Sequence, residues 1–525
     1  MPETTEDAVP GEEPGRPAGA ALLAATCVST LVVNANTSAV SILLPAISTD
    51  TGASLDTLQW AITGYSLVGA AVIVTSGALG DVFGRRLVFL AGLALFIASC
   101  AVIALSGSGA GVIAGRAVQG ASGATILACG MSLLSVATSG QGRVRAVTVW
   151  GAASAVGAAV GPLVGGLLVD GIGWQGLFWI DAAIAAACVP VTLRGIAESR
   201  DPDRSRSIDF AGTVLIAAVL APALLALSEG ADWGWTSAGV LGCLALALLS
   251  AVAFVMVERR VDEPLVDLRL LRDRVLIGAT VAILLSAGVI NGLMYLVSLY
   301  FQNPATLALS PFQAGLATLP ATVGLIAVTP LVPRAVKRLG VGPVIGAGFA
   351  AATAGCALLV LVQADWRYGA FALPLVLLAA GLGLVNGPAS SASTSSVAED
   401  DVGAASGISN MARYIGAAAF TAAVATVNSS VGASHLASGE GTAQALAAGL
   451  SRACLLLTVA CGVGILLSVL AARARRRRVR PGAYGAAAAS HAHTVRTVSG
   501  VGTAGTAGTV GTVGTAGTAG TENAR

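Results

Sequence analysis

The chain has 525 residues, of which 55% are hydrophobic and only 11% charged, against about 25% charged in an ordinary soluble domain. That balance excludes a soluble globular enzyme. Lys and Arg total 29 against 27 Asp and Glu, and no basic residues lie between aromatic ones as a nucleic-acid surface requires, so no nucleic-acid partner is expected. Mean hydropathy of +0.83 describes a chain solvated mostly by lipid, where backbone polar groups must pair internally and the spans are helices. The 24 aromatic residues are scattered through long apolar runs, unlike the ~10-residue alternation of an outer-membrane barrel. The expected class is an all-α integral membrane protein.

A span needs about 20 predominantly apolar residues. In chain order the sequence offers 20–47, 58–80, 87–106, 111–138, 146–169, 176–194, 209–228, 236–257, 275–302, 312–333, 341–363, 370–396, 403–428 and 450–472, about 14 in all. Residues 1–19 are acidic and Pro-rich without an apolar core, which predicts a cytoplasmic tail and not a signal peptide. The expected organisation is a bundle over 20–194, a linker with two additional spans over 195–272, a second bundle over 273–472 and a tail over 473–525.

Arg and Lys concentrate in alternate loops: Arg85 and Arg86; Arg143 and Arg145; Arg194, Arg200, Arg204 and Arg206; Arg259, Arg260, Arg269, Arg272 and Arg274; then Arg334, Lys337 and Arg338. The intervening loops hold only Arg367 and Arg452. Cytoplasmic loops retain positive charge, so this alternation predicts a multi-pass protein of a bacterial inner membrane with both termini cytoplasmic. Glu399, Asp400 and Asp401 form an acidic loop on the same side. The run Arg473–480 reads as a stop-transfer signal or as a lipid headgroup contact. Beyond it, residues 499–521 repeat Gly-Thr-Ala/Val without proline, a composition suited to a flexible tail.

The eight cysteines lie in apolar segments without metal-ligand spacing, and the three histidines fall outside the spans. No metal or cofactor is expected. No Walker-type loop and no nucleophile–histidine pair occurs in a span, which argues against an enzyme.

The loop after the second span reads Gly77, Leu79, Gly80, Asp81, Gly84, Arg85, Arg86. Glycines permit sharp reversal, and an aspartate beside two arginines can form a breakable charge cluster. This order resembles the signature between helices 2 and 3 of the major facilitator superfamily. Arg116-Ala-Val-Gln119-Gly120 in the fourth span resembles that family's Arg-x-x-Gln-Gly motif. In the fifth span, Gly157, Gly161, Pro162, Gly165 and Gly166 resemble its antiporter motif. The span number points to the fourteen-spanner drug:proton antiporters of the EmrB/QacA type. Gln59-Trp60 with Tyr65, Asp209 with Gly212, Gly234-Trp235, Pro264-Leu265 with Leu268, and Ala405-Ser406-Gly407 with Asn410, Arg413 and Gly416 are similar as well. The resemblance implies a major facilitator fold: two six-helix bundles with two inserted helices, alternately exposing a central cavity.

Many relatives carry an acid in helix 1 ahead of an Asn and Leu-Pro. Counted back from Leu44-Pro45, those positions hold Asn36 and Ser41, and a neutral amide cannot carry a proton. Asp181 in the sixth span is the one carboxylate well inside a predicted span, about 10 Å deep at 1.5 Å per residue. A buried carboxylate near a cation suits proton coupling, with Arg116 tuning it; the alternative is a structural pairing of Asp181 with an arginine or a Trp indole. Arg116 either faces a polar cavity or snorkels to the interface. Arg413 either lines the cavity or bonds neighbouring carbonyls. Candidate cavity residues are Asn36, Ser41, Gln59, Gln119, Asn291, Tyr295, Asn386, Asn410 and Arg413, with Tyr300 and Gln302 beside them, each of which could equally be an interhelical hydrogen-bonding residue.

Three functions follow. The first is a proton-coupled exporter of small amphipathic compounds, a drug or antibiotic efflux protein, working as a monomer with membrane lipid as its surroundings. The second is an exporter of a specific neutral or anionic metabolite, favoured by two membrane arginines against one carboxylate. The third is a membrane sensor that does not transport.

Overall fold

A computed structural model describes residues 17–138, 140–200, 209–261, 264–398 and 402–478. The acidic loop 399–401, most of the N-terminal tail, the arginines past 478 and the Gly/Thr/Ala repeat lie outside these residues. The described chain is helical throughout: α1 (Pro17–Thr51), the short α2 (Leu55–Leu58), α3 (Trp60–Phe83), α4 (Arg85–Leu105), α5 (Gly109–Ala137), α6 (Gly140–Ile172), α7 (Gln175–Gly195), α8 (Phe210–Trp233) and α9 (Ala238–Glu258) come first. After a linker with a 3-10 turn at Leu270–Arg272 follow α10 (Arg274–Gln302), α11 (Pro311–Ala317), α12 (Leu319–Val328), α13 (Val332–Leu339), α14 (Val341–Val360), α15 (Gly369–Ser395), α16 (Val402–Ala437) and α17 (Thr442–Arg478).

Among the described residues 13 helical segments are long and apolar enough to cross a membrane, and 14 if the bent α6 counts as one span. The α6 bend, 43° between Val149–Ala158 and Val160–Ile172, lies one turn before Pro162, whose ring displaces the carbonyl four residues back. The tenth span is predicted as one helix but runs as α11, α12, a 3-10 turn and α13. Pro320, Pro330 and Pro333 stand at the starts of the last three pieces, where a missing N–H costs least.

Small residues let the helices approach closely, which is how helices associate when lipid removes the hydrophobic drive. A Cβ on Gly348 of α14 would lie 2.6 Å from the Gly381 carbonyl oxygen of α15, and one on Gly381 would lie 2.5 Å from that of Gly348. One on Gly416 of α16 would meet the Leu284 carbonyl oxygen of α10 at 2.1 Å. The pair α8 and α9 is the most lipid-exposed: Leu241, Leu244, Leu248 and Leu249 of α9 all face outward. α8 is tied to α3 through Thr213 and Thr75, whose hydroxyls are 2.5 Å apart, and to α16 through Thr426, which donates to the Leu227 carbonyl at 3.1 Å.

Candidate functional site

A buried arginine organises the first half. Arg116 of α5 is 0% exposed, so it does not snorkel. Its Nε donates to the Ala61 carbonyl of α3 at 3.0 Å, and one Nη donates to Asn36 Oδ1 of α1 and to Gln119 Oε1, both at 2.5 Å. The guanidinium lies 4.3 Å from the centre of the Tyr65 ring, a cation–π seat. Gln119 Nε2 continues the network to Cys100 of α4 at 3.0 Å.

Asp181 of α7 is 4% exposed and accepts a hydrogen bond from Asn36 Nδ2 at 2.7 Å. Its partner is thus neither an arginine nor a Trp indole: the nearby Trp174 indole donates to Asp50 at 3.0 Å. Asn36 stands between carboxylate and cation, accepting from Arg116 and donating to Asp181. An amide suits this place because it offers both an acceptor and donors. Burying one cation without a compensating carboxylate is costly, and the Arg116–Asn36–Asp181 row supplies that compensation at one remove. The other Nη of Arg116 has no hydrogen-bond partner.

The glycine-rich loop is pinned to the end of α7. Gly84, at φ +115°, turns the chain from α3 into α4, a conformation L side chains rarely adopt. A Cβ there would also lie 2.6 Å from the Glu198 carboxylate. Glu198 accepts from the Arg86 and Leu87 backbone N–H groups at 3.0 and 3.2 Å, a carboxylate on a helix N-terminus. Arg86 donates to the Ile196 carbonyl at 2.9 Å, and Arg85 pairs with Asp81 at 2.8 Å. Gly80 packs on Cys129, while Gly77 is open.

The motif in α6 has two glycine faces. Cβ atoms on Gly157, Gly161 and Gly165 would lie 2.2 Å from the Leu31 carbonyl oxygen, 2.3 Å from that of Ala35 and 2.9 Å from Ala39 Cβ, so this face seats α1. Gly166 and Pro162 face the second half instead. A Cβ on Gly166 would lie 2.2 Å from the Pro311 carbonyl oxygen, and one on Gly315 of α11 would lie 2.5 Å from that of Pro162. At the same end, Asp170 accepts from the Ser310 hydroxyl at 2.8 Å, Ser298 donates to the Ser41 carbonyl at 2.5 Å, and Gln302 donates to that of Ile42 at 3.1 Å. The end away from the Asp81–Arg86 loop is therefore closed between the halves.

A second polar cluster lies in α10, α15 and α16. Arg413 donates to Asn386 Oδ1 and Ser390 Oγ, each at 3.3 Å, and Ser286 donates to the same Asn386 oxygen at 3.1 Å. Asn410 donates to the Ser406 carbonyl at 3.0 Å. Tyr414, the residue after Arg413, packs tilted against Tyr65 with ring centres 6.2 Å apart, and Arg116 sits on the Tyr65 ring.

Of the cavity candidates, Asn36 and Gln119 are fully buried in the first cluster. Asn386, Asn410 and Arg413 gather in the second. Tyr295 is 2% exposed, and Asn291 bonds the Ala287 carbonyl of its own helix. Gln59 caps the α2–α3 junction and Ser41 offers its carbonyl to Ser298, so both lie at the closed end. Sequence reasoning missed Glu198, Asp170 and Ser390. An acid between Arg194 and Arg200 in a basic loop was the one available signal for Glu198.

The family profile of the Major Facilitator Superfamily matches residues 26–421. The tetracenomycin C resistance and export protein of Streptomyces glaucescens is 30% identical over 408 residues, 78% of this chain and 76% of that protein. The puromycin resistance protein pur8 of Streptomyces alboniger is 31% identical over 442 residues, 83% of this chain and 87% of that one. The solved structure of the POT family transporter PepTSo superposes with a TM-score of 0.64 at 14% identity, covering 89% of this chain and 100% of that one, a likeness of fold alone. The packed helical spans, the loop pinned by Glu198 and the matched profile together place this multi-pass membrane chain in the Major Facilitator Superfamily.

Proposed function

We propose that the chain is a drug or antibiotic efflux transporter that exports small amphipathic compounds by proton antiport. The observation that carries the coupling is the Arg116–Asn36–Asp181 row: the one carboxylate deep in a described span, held 2.7 Å from an amide that is itself bonded to a buried arginine. With Asp181 ionised, the row is balanced and draws α1, α5 and α7 together. A proton on Asp181 removes the balancing charge, weakens the Asn36 contact and leaves Arg116 uncompensated, which changes the relative stability of the two arrangements of the bundle.

The two arrangements differ in which end is closed. The bundles over 20–194 and 273–472, with 195–272 inserted between them, rock about the α3–α16 contact. The Asp81–Arg86 loop and the other arginine-bearing loops lie in the cytoplasm, as do both termini, which an even number of spans requires. In that orientation the closed end faces outward. The names of the relatives support export of antibiotics, and the monomer is the working unit.

The test uses a cargo identified by growth inhibition of a sensitive host across an antibiotic panel, with and without the chain. In everted vesicles its accumulation is expected to require a pH gradient. Asp181→Asn is expected to retain cargo exchange while losing gradient-driven accumulation. Full gradient-driven accumulation in that variant would overturn the proposal.

A further inference from the structure

Among the described residues Arg413 is a membrane cation without a counter-charge. Helices α10 to α17 contain no Asp or Glu at any position, whereas Arg116 in the first half has Asp181. No carboxylate pairs with Arg413 among the described residues, and only two hydrogen bonds engage its five N–H donors, both to neutral oxygens at a long 3.3 Å. A guanidinium is a planar fork suited to two oxygens of one anion, and here most of that fork is unused.

The cluster also opens onto a polar face. Ser406, Asn410 and Arg413 follow at helical spacing on α16 and are half-buried, as are Asn386 and Ser390 on α15. On the adjoining α15 stripe Gly387 and Ser391 are exposed, and a Cβ on Gly387 would meet nothing within 4 Å. An arginine with Asn and Ser beside it is unsuited to hydrocarbon, and charged groups within membrane spans as a rule face the bundle interior or a water-filled cavity. The charge there needs a partner that arrives and leaves, which is what a transported anion does.

We propose that Arg413, with Asn386, Ser390 and Asn410 around it, binds the carboxylate or other oxyanion group of an amphipathic cargo. The assignment rests on the export reading above and narrows its substrate class from amphipathic compounds in general to those bearing an anionic head. Through the contact of Tyr414 with Tyr65, the helix that carries this site packs on the ring that seats Arg116.

Binding to the purified full chain tests the site, with 1-pyrenebutyrate against its uncharged analogue 1-pyrenebutanol and the cation tetraphenylphosphonium. The wild type is expected to bind 1-pyrenebutyrate at least about tenfold more tightly than 1-pyrenebutanol, since a charge-assisted fork contributes more than about 1.4 kcal/mol. Arg413→Gln is expected to bind both equally, with an unchanged thermal unfolding midpoint reporting an intact fold. Arg413→Lys, which keeps the charge and loses the fork, is expected to show a reduced preference. Equal affinities in the wild type, tighter binding of tetraphenylphosphonium, or an undiminished preference in Arg413→Gln would overturn the proposal. Should the glutamine variant not fold, an undiminished preference in Arg413→Lys overturns it. Preference for the anion without any pH-driven flux of 1-pyrenebutyrate in proteoliposomes would instead refute the export reading and leave the site standing.

Discussion

The closed end can be wedged open at one residue. Gly166 faces the Pro311 carbonyl oxygen, and a Cβ there would lie 2.2 Å from it, far inside contact distance and against backbone that cannot rotate away. Gly166→Leu therefore forces α6 and α11 apart. Overpacking costs typically about 1–3 kcal/mol, and a backbone obstacle puts this case at the upper end. The contacts opposing separation are the hydrogen bonds from Ser298, Gln302 and Ser310, each with a net contribution of about 0.5–1.5 kcal/mol. A change of about 3 kcal/mol shifts the closed-to-open ratio by roughly a hundredfold. Spin labels at Ile172→Cys and Ala305→Cys, with the partly exposed Cys27 and Cys243 replaced by serine, report the distance across this end. The expected result is a longer-distance population dominating in Gly166→Leu. By contrast, Gly157→Leu wedges α6 from α1 within one half and is expected to lower thermal stability without lengthening that distance. An unchanged distance distribution in Gly166→Leu, or the same lengthening from Gly157→Leu, would refute the two-faced reading of α6.

Other outcomes follow from the same geometry. Asn36→Ala removes two hydrogen bonds to charged partners, each contributing about 1.5–3 kcal/mol, so the unfolding temperature of the purified chain should fall clearly; an unchanged midpoint would mean that the row is not a unit. Glu198→Ala strips the carboxylate from the α4 N-terminus, a loss of about 1 kcal/mol, and trypsin cleavage at Arg85 or Arg86 should accelerate, whereas Glu198→Gln should be intermediate. Asp209 caps α8 through the Gly212 N–H at 2.6 Å; Asp209→Ala should destabilise by about 1 kcal/mol while Asp209→Asn is nearly neutral, read by thermal unfolding.

Span positions were legible because about 20 apolar residues leave few alternatives. Ends were less so: the last two helices run Val402–Ala437 and Thr442–Arg478 against the predicted 403–428 and 450–472, because helices continue past the apolar stretch that hydropathy detects. The prolines that divide the tenth span were visible, but their position at fresh helix starts depends on tertiary packing. Asp181 and Arg116 stood out as rare charges among apolar neighbours. The bridging place of Asn36 did not, because it pairs across 145 positions of chain. Reading Asn36 as a neutral stand-in for an acid misses that its amide can serve both charges at once. The antiporter-like motif signalled close packing correctly in kind, while the division of its glycines between two partners depends on which helices neighbour α6.

In the proposed transport cycle Asp181 carries the coupling proton. The most direct test of this role is the steady-state cargo gradient in proteoliposomes with the membrane potential clamped at zero, measured as the imposed pH difference is varied. One proton exchanged per cargo supplies about 1.4 kcal/mol per pH unit, so the account predicts a cargo gradient rising about tenfold per unit for the wild type and flat for Asp181→Asn. A tenfold rise that persists in Asp181→Asn would contradict it.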